Sequence, residues 1–371
     1  MKRILFINDY AYAGGVENVL INIINNLDKD KYDITVCTMF KDKNFYVYYP
    51  KHVKYISYNY YIINKTRFSF FKRIINKLKW GTLKLFNYIH FNKYFDTIIS
   101  IKEGESMKFA SMLKKAKKKL AWVHVDFNNL HWSKWVFGKS ENELKCMAKF
   151  DKVICVAESV KESIISTIGD PKNLIVRYNP IDENKIKQKA SEDLELNRMS
   201  EGVLLVTVGR LVEEKGYDRL LNVCKKLNDN GFDFELWIIG GGEQEGKLLE
   251  QKKMQNLKNV KFFGEKTNPY PYLKKADWFV CSSRCEGFST VLQEAAVLSK
   301  PIITTACSGV KELLGENEYG IIVDNSEEGL YYGIKKILED SNLIKYYTKQ
   351  IERVKNSICL EERMKRIEDL F

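Results

Sequence analysis

Apolar positions along the chain fall into short β-branched and aromatic runs, each closed by a polar or glycine turn and followed by a stretch with helical spacing. Residues 3–9, RILFIND, form the first such run and predict a buried strand. In 14–27, GGVENVLINIINNL, the residues Val16, Leu20, Ile23, Ile24 and Leu27 recur on one helical face. YDITVCTM at 32–39 closes a β-α-β unit, for which a right-handed parallel crossover is nearly obligatory. The alternation continues through DTIISI (96–101), KLAWVHVD (119–126), KVICVA (152–157) and LIVRYNPID (174–182).

A polar, charged interval at roughly 183–201 then carries few apolar residues and suggests an interdomain connection. Beyond it the pattern restarts with VLLVTVGRL (203–211), a helix near 216–230, FELWIIGGG (234–242), a helix near 243–256, VKFFG (260–264), WFVCSS (278–283), a further helix and PIITT (301–305). The fold class expected is α/β, with two successive domains built on parallel sheets. A length of 371 residues supports two cores, because single cores stop growing near roughly 250–300 residues. No internal repeat suggests a solenoid. In such sheets ligands bind beyond the carboxyl ends of the strands, so the loops there are where chemistry is to be sought.

Composition is that of a globular chain, with 45% hydrophobic and 29% charged residues. MKRILFINDY has too short an apolar run for a secretory signal, and nowhere do roughly 18 uninterrupted apolar residues form a membrane span. The expectation is a cytoplasmic chain. Eight scattered cysteines, of which only Cys281 and Cys285 are close together and without a nearby histidine, are expected to be reduced thiols. The net charge of +12 is localised: between Lys43 and Phe95 there is no Asp or Glu, and the Lys and Arg residues there sum to +11.

Candidate chemistry lies in two segments. In VTVGRLVEEKG (206–216), Arg210 and Lys215 stand just past a strand, where two cations can converge on an anionic group. Two solvated loop cations would give the same pattern. In CEGFSTVLQEAA (285–296) a helix begins at about Ser289 or Thr290, and the amides of Gly287, Phe288, Ser289 and Thr290 form an anion-binding end. Glu286 precedes that helix and Glu294 lies a turn inside it, so the two carboxylates can meet different hydroxyl groups of one ligand. A diphosphate flanked by two polyols fits such a set, although the spacing alone also suits surface carboxylates. His124 ends the strand of LAWVHV on the ligand-binding side, where a structural histidine is equally compatible.

GRLVEEKG, EGFSTVLQEAAVLSKPIITTACSGVKELL and the early GGVENVL together resemble the retaining glycosyltransferases of family 4. The likeness runs along nearly the whole chain and is strongest over 203–325. It implies a GT-B fold of two facing Rossmann-like domains: an acceptor-side domain at 1–183, to which a C-terminal helix at about 357–371 returns, and a nucleotide-sugar-binding domain at 184–356. By the same resemblance Arg210 and Lys215 hold the nucleotide diphosphate, Glu294 binds the ribose, and Glu286 and His124 stand beside the donor sugar. Gly14 and Gly15 match a glycine turn that admits backbone amides to the phosphates. Where many relatives carry a glycine-aspartate-glycine-like turn, this chain has GGGEQ at 240–244.

The activity implied is transfer of a hexosyl-type sugar, with retention of configuration, from a nucleoside-diphosphate sugar (UDP-linked by expectation) to a saccharide acceptor, lipid-linked by expectation, in polysaccharide biosynthesis. An epimerase, an inverting transferase and a catalytically silent binding partner are the alternatives. No cofactor is expected beyond the nucleotide sugar as co-substrate. No metal is required, since DKD at 28–30 falls in a helix-to-strand turn and fixed cations can neutralise the leaving group. Residues 67–91 place Phe71, Ile74, Ile75, Leu78, Leu85, Phe86 and Ile89 on one helical stripe, with Lys72, Arg73, Lys77 and Lys84 elsewhere. A basic amphipathic helix of this kind suits an anionic membrane surface, and so a peripheral position on the inner face of the membrane. Packing of the stripe on the N-terminal domain is the other reading. No nucleic-acid fold signature accompanies the basic stretch, so no nucleic-acid partner is expected.

Overall fold

The computed structural model describes residues 1–9, 14–40, 49–57, 91, 93–196 and 198–371. The chain forms two compact units, Met1–Pro180 with Glu362–Phe371, and Ile181–Glu361.

Unit 1 is a seven-stranded sheet of β1 (Lys2–Asn8), β2 (Tyr32–Thr38), β3 (Lys54–Ser57), β4 (Phe95–Ser100), β5 (Ala116–Val123), β6 (Lys152–Cys155) and β7 (Leu174–Val176). The strands lie in the order β3-β2-β1-β4-β5-β6-β7 and every pair is parallel. Ile4, Leu5, Phe6 and Ile7 are all fully buried, the pattern of a strand covered on both faces. The helix Gly15–Asn26 lays Val19, Leu20, Ile23 and Ile24 into that core.

Three elements differ from the sequence reading. β5 ends at Val123, so His124 is a loop residue rather than the tail of a strand. β7 stops at Val176 and residues 177–182 leave the sheet, where Pro180 could not donate to a ladder. β3 was unforeseen; it is a four-residue edge strand whose Lys54 pairs with Asp33 at 2.9 Å, and short charged edges of this kind resist further pairing. The amphipathic stretch at 67–91, apart from Phe91, lies outside the described residues.

The chain returns to unit 1 at its C-terminal end through the helix Leu360–Glu368. Phe371 sets its ring edge-on to Phe6 at 6.3 Å and to Tyr32 at 6.1 Å. Lys2 Nζ donates to the Phe371 carbonyl at 3.1 Å and Lys118 Nζ to that of Leu370 at 3.3 Å.

Unit 2 begins with the helix Glu183–Ala190, inside the interval that had suggested a connection. Ile186 and Ala190 bury its narrow apolar face, and Asp182 caps it by accepting from the Lys185 amide at 2.9 Å. Its six-stranded sheet comprises β8 (Val203–Val208), β9 (Phe234–Ile239), β10 (Val260–Phe262), β11 (Trp278–Cys281), β12 (Ile302–Thr305) and β13 (Ile321–Val323). The order is β10-β9-β8-β11-β12-β13, again wholly parallel. Leu220, Leu221, Val223, Cys224 and Leu227 on the helix Tyr217–Asp229 are buried in its core.

All eight cysteines are free thiols. Among the described residues no helix is long and apolar enough to cross a membrane.

Phe371 is nearly fully buried, so Phe371→Ala should destabilise unit 1 by about 3 kcal/mol. Denaturant unfolding followed by circular dichroism checks this; an unchanged midpoint would show that the C-terminal aromatic contributes nothing to the core.

Candidate active site

In unit 2 the loops after β8 and β11 are tied into one structure. Lys215 ends a 3-10 turn, Glu213–Lys215, and Gly216 follows with φ of +64°. A side chain at Gly216 would be both strained and driven into the Ser282 carbonyl. From the facing loop Ser282 Oγ donates to the Lys215 carbonyl at 2.9 Å, and the Arg284 amide donates to the Glu214 carbonyl at 2.7 Å. Arg284 also grips Asp218 with two bonds of 2.7 Å each.

Lys215 and Glu286 are thereby brought together, Nζ to Oε1 at 2.6 Å. Glu286 Oε1 accepts a second bond from Ser283 Oγ at 2.7 Å. Burial opposes the charge on Lys215, but Glu286 foremost, together with Cys281 and Tyr217, more than offsets it and holds the amine protonated, above the ordinary lysine range. Arg210 is exposed, and its guanidinium enters no hydrogen bond or ion pair with the described residues.

The helix Thr290–Val297 begins after Ser289, whose side chain makes no capping bond. Ser289 and Phe288 are buried, and Phe288 packs under Gly309. Glu294, on the first turns of that helix, is hydrogen-bonded by Tyr270. Burial pushes its carboxyl up to about 7, with the Tyr270 bond acting in the opposite sense. Burial and the neighbouring Glu294 both raise the Tyr270 hydroxyl far above its usual range.

Unit 1 carries the other candidates. Gly14 is extended, with φ of −154°, and Gly15 opens the first helix with nothing near the position of an added Cβ. Packing among the described residues does not demand a glycine at position 15. His124 follows β5; its amide donates to Glu103 Oε2 at 3.0 Å. The imidazole is hydrogen-bonded to the Ile101 backbone, and Nε2 is buried with no hydrogen-bond partner among the described residues. Burial lowers its pKa to about 4, with Glu103 pulling the other way and Lys102 reinforcing the shift, so the ring is neutral.

Several residues that sequence reading passed over stand at the same strand ends. Arg219, buried, donates from Nε and Nη2 to the Ser282 carbonyl at 3.0 and 2.7 Å and from Nη2 to that of Ser283 at 2.8 Å, fixing the loop that carries Glu286. Asn325 joins it at 2.7 Å. Asp9, directly after β1, accepts from the Ser106 amide at 2.9 Å, and burial raises its carboxyl to about 6. Glu103, after β4, is fully buried. Position at the carboxyl end of a strand was the signal available for Asp9 and Glu103; Arg219 gave none, since it sits within a helix.

The family model described as Glycosyltransferase Family 4 matches residues 13–185, and that described as Glycosyl transferases group 1 matches 188–356. Solved structures share the fold: sucrose-phosphate synthase from Thermosynechococcus elongatus gives a TM-score of 0.81 at 17% identity, covering 100% of this chain and 98% of that one. Anabaena Alr3699/HepE, crystallised with UDP and glucose, gives 0.74 at 16% identity, covering 100% and 99%. The fold is thus that of the GT-B proteins. The chain carries a glycosyltransferase family 4 domain at 13–185 and a glycosyl transferases group 1 domain at 188–356.

Among curated relatives, an N-acetylgalactosaminyltransferase of Campylobacter jejuni is 34% identical over 203 residues. That alignment spans about half of each protein, 54% of this chain and 54% of the relative. An uncharacterized glycosyltransferase of Haemophilus influenzae is 27% identical over 360 residues, 92% of each.

The state of Glu294 has a measurable consequence. Folded protein keeps this proton up to about pH 7, whereas the unfolded chain releases it near the ordinary value of 4.5. Folded molecules therefore bind the extra proton in that window, and stability falls as pH rises through it. Glu294→Gln should remove about 2 kcal/mol of that decline, read from urea midpoints between pH 4.5 and 7. Superimposable profiles for the two proteins would place the carboxyl in water instead.

Proposed function

We propose that this chain transfers a hexosyl-type sugar from a nucleoside-diphosphate sugar, UDP-linked, to a lipid-linked saccharide during assembly of a surface polysaccharide, with retention at the anomeric carbon. The observation that carries the reading is the Lys215–Glu286 pair at 2.6 Å, braced by Arg219 and Arg284 beside the helix that carries Glu294.

On this reading Lys215 and the exposed Arg210 take the diphosphate, joined by the amides of Gly287, Phe288, Ser289 and Thr290 at the helix tip. As the glycosidic bond breaks, negative charge builds on the departing diphosphate, and preorganised cations favour that state without reorganisation. The incoming hydroxyl oxygen bonds to the anomeric carbon on the face from which the diphosphate leaves and gives its proton to the departing oxygen, which delivers retention. Glu294 accepts hydrogen bonds from the ribose hydroxyls, Glu286 orients Lys215 and meets the donor sugar, and neutral His124 offers its unpartnered Nε2 to a sugar hydroxyl. Gly14 and Gly15 leave room for phosphate oxygens to approach the backbone. The nucleotide sugar is the only co-substrate in this scheme, and lysine and arginine supply the positive charge that a metal provides elsewhere.

Support for the acceptor class comes from the relatives. The Campylobacter jejuni protein is named for a diphospho-undecaprenol-linked acceptor, and another relative, 26% identical over 207 residues, is the capsular polysaccharide glycosyltransferase CapM of Staphylococcus aureus. Peripheral association with the inner face of the membrane accords with such an acceptor. It also accords with Trp135, 92% exposed beside Lys134 on unit 1, since indole rings favour the membrane–water interface.

A thermal-shift panel of UDP-, GDP- and ADP-sugars tests the donor assignment. A true donor at about 100 times its Kd should stabilise by about 2.7 kcal/mol, and Lys215→Ala should lower turnover by about 100-fold or more. No stabilisation by any member of the panel would refute the reading. Flotation with vesicles containing anionic lipid tests the membrane: binding at low salt should weaken when Lys72, Arg73, Lys77 and Lys84 become Gln, and unchanged binding would remove the role of the basic stretch.

A further inference from the structure

We infer that Glu103 is the positioning residue of unit 1: one fully buried carboxylate clamps the loops after β4 and β5 by accepting from the His124 amide and from the Trp132 indole. The bonds measure 3.0 Å to Oε2 and 2.7 Å to Oε1. This rests on the reading that His124 faces the transferred sugar, and it adds the residue that sets where His124 stands.

Several independent features converge on the clamp. Gly104, the next residue, has φ of +92°, and a side chain there would run into the Trp132 ring. Backbone conformation and indole position are therefore matched at a place where only glycine serves. Lys102 Nζ stands 4.8 Å from the Trp132 ring centroid, so three successive residues after β4 all engage the loop after β5. Behind that loop His131 pairs with the fully buried Glu143 at 2.7 Å and stacks on Phe127 at 4.4 Å. Glu143 also accepts from Ser133 Oγ at 2.6 Å, so the segment carrying Trp132 is held on both sides.

A buried carboxylate of this kind needs partners, because burial of an unpaired charge is expensive. Glu103 meets that need with two N–H donors from a neighbouring loop. The result fixes the main chain at His124, whose ring is held by Ile101 and whose Nε2 has no partner among the described residues. Glutamine at 103 has one carbonyl oxygen and one amino group, and so can satisfy one of the two donors while repelling the other.

The test is a double-mutant cycle in the full chain, with turnover of whichever UDP-, GDP- or ADP-sugar most raises the melting temperature. Glu103→Gln should lower kcat on the order of 10- to 100-fold, the loss expected from a displacement of about 1 Å. KM for the sugar nucleotide should stay within about twofold, since the nucleotide's contacts are untouched. In a His124→Ala background, which keeps the main-chain amide, Glu103→Gln should have almost no further effect. An equal loss of kcat in both backgrounds, or a loss of nucleotide affinity, would overturn the proposal and leave Glu103 a purely structural residue.

Trp132→Phe removes the other arm while leaving the carboxylate whole, and it carries the same test if Glu103→Gln does not fold. Failure of the transferase reading shows separately, as a wild-type protein that no sugar nucleotide stabilises. The clamp is then read in the free protein from the Trp132 indole N–H resonance, identified by its loss in Trp132→Phe. Movement of that resonance in Glu103→Gln supports the clamp, and an unmoved resonance overturns it.

Discussion

Every strand pair in both sheets is parallel, and parallel pairing obliges each connection to cross back over the sheet. All strands of a unit consequently end on one edge, and the loops that leave them are neighbours in space however distant in sequence. Asp9, Glu103 and His124 follow β1, β4 and β5; Lys215, Glu286 and Asn325 follow β8, β11 and β13. The same constraint explains the composition of the strands. Helices cover both faces, so Ile4 to Ile7 form an unbroken apolar run where a half-exposed sheet would alternate.

Loops at that edge are expensive to hold, because their polar groups are partly withdrawn from water without a regular ladder to satisfy them. Unit 2 solves this with guanidinium groups. Arg219 collects two carbonyls of the loop after β11, and Arg284 bridges from that loop to Asp218 and the Glu213 carbonyl. Lys215 and Glu286 can then sit at 2.6 Å in a place where an isolated charge of either sign would be strongly disfavoured. Unit 1 uses carboxylates for the same purpose, with Glu103 and Glu143 each accepting two bonds from the loop after β5.

The ionisation states follow from these surroundings. Glu294, buried with Tyr270 as its hydrogen-bond partner, keeps its proton up to about pH 7, while Glu286 is paired with a lysine. His124 is neutral because burial outweighs the pull of Glu103. Two glutamates eight residues apart thus come to have different surroundings, one against a lysine and one against a tyrosine.

Much of the fold was legible in the chain itself. Strand periodicity, glycine turns and the ordered motifs around Arg210, Lys215, Glu286 and Glu294 depend on local residue order, so the α/β class and the family could be read without coordinates. Local order fails where the deciding partner is remote. The polar interval at 183–201 hides a helix because only Ile186 and Ala190 need burial. Glu103 and Trp132 lie 29 residues apart, and Lys215 and Glu286 lie 71 apart. Their pairing, the bracing by Arg219 and the charge states that result were decided by tertiary structure, since hydrogen bonds and desolvation depend on distances that sequence separation does not fix.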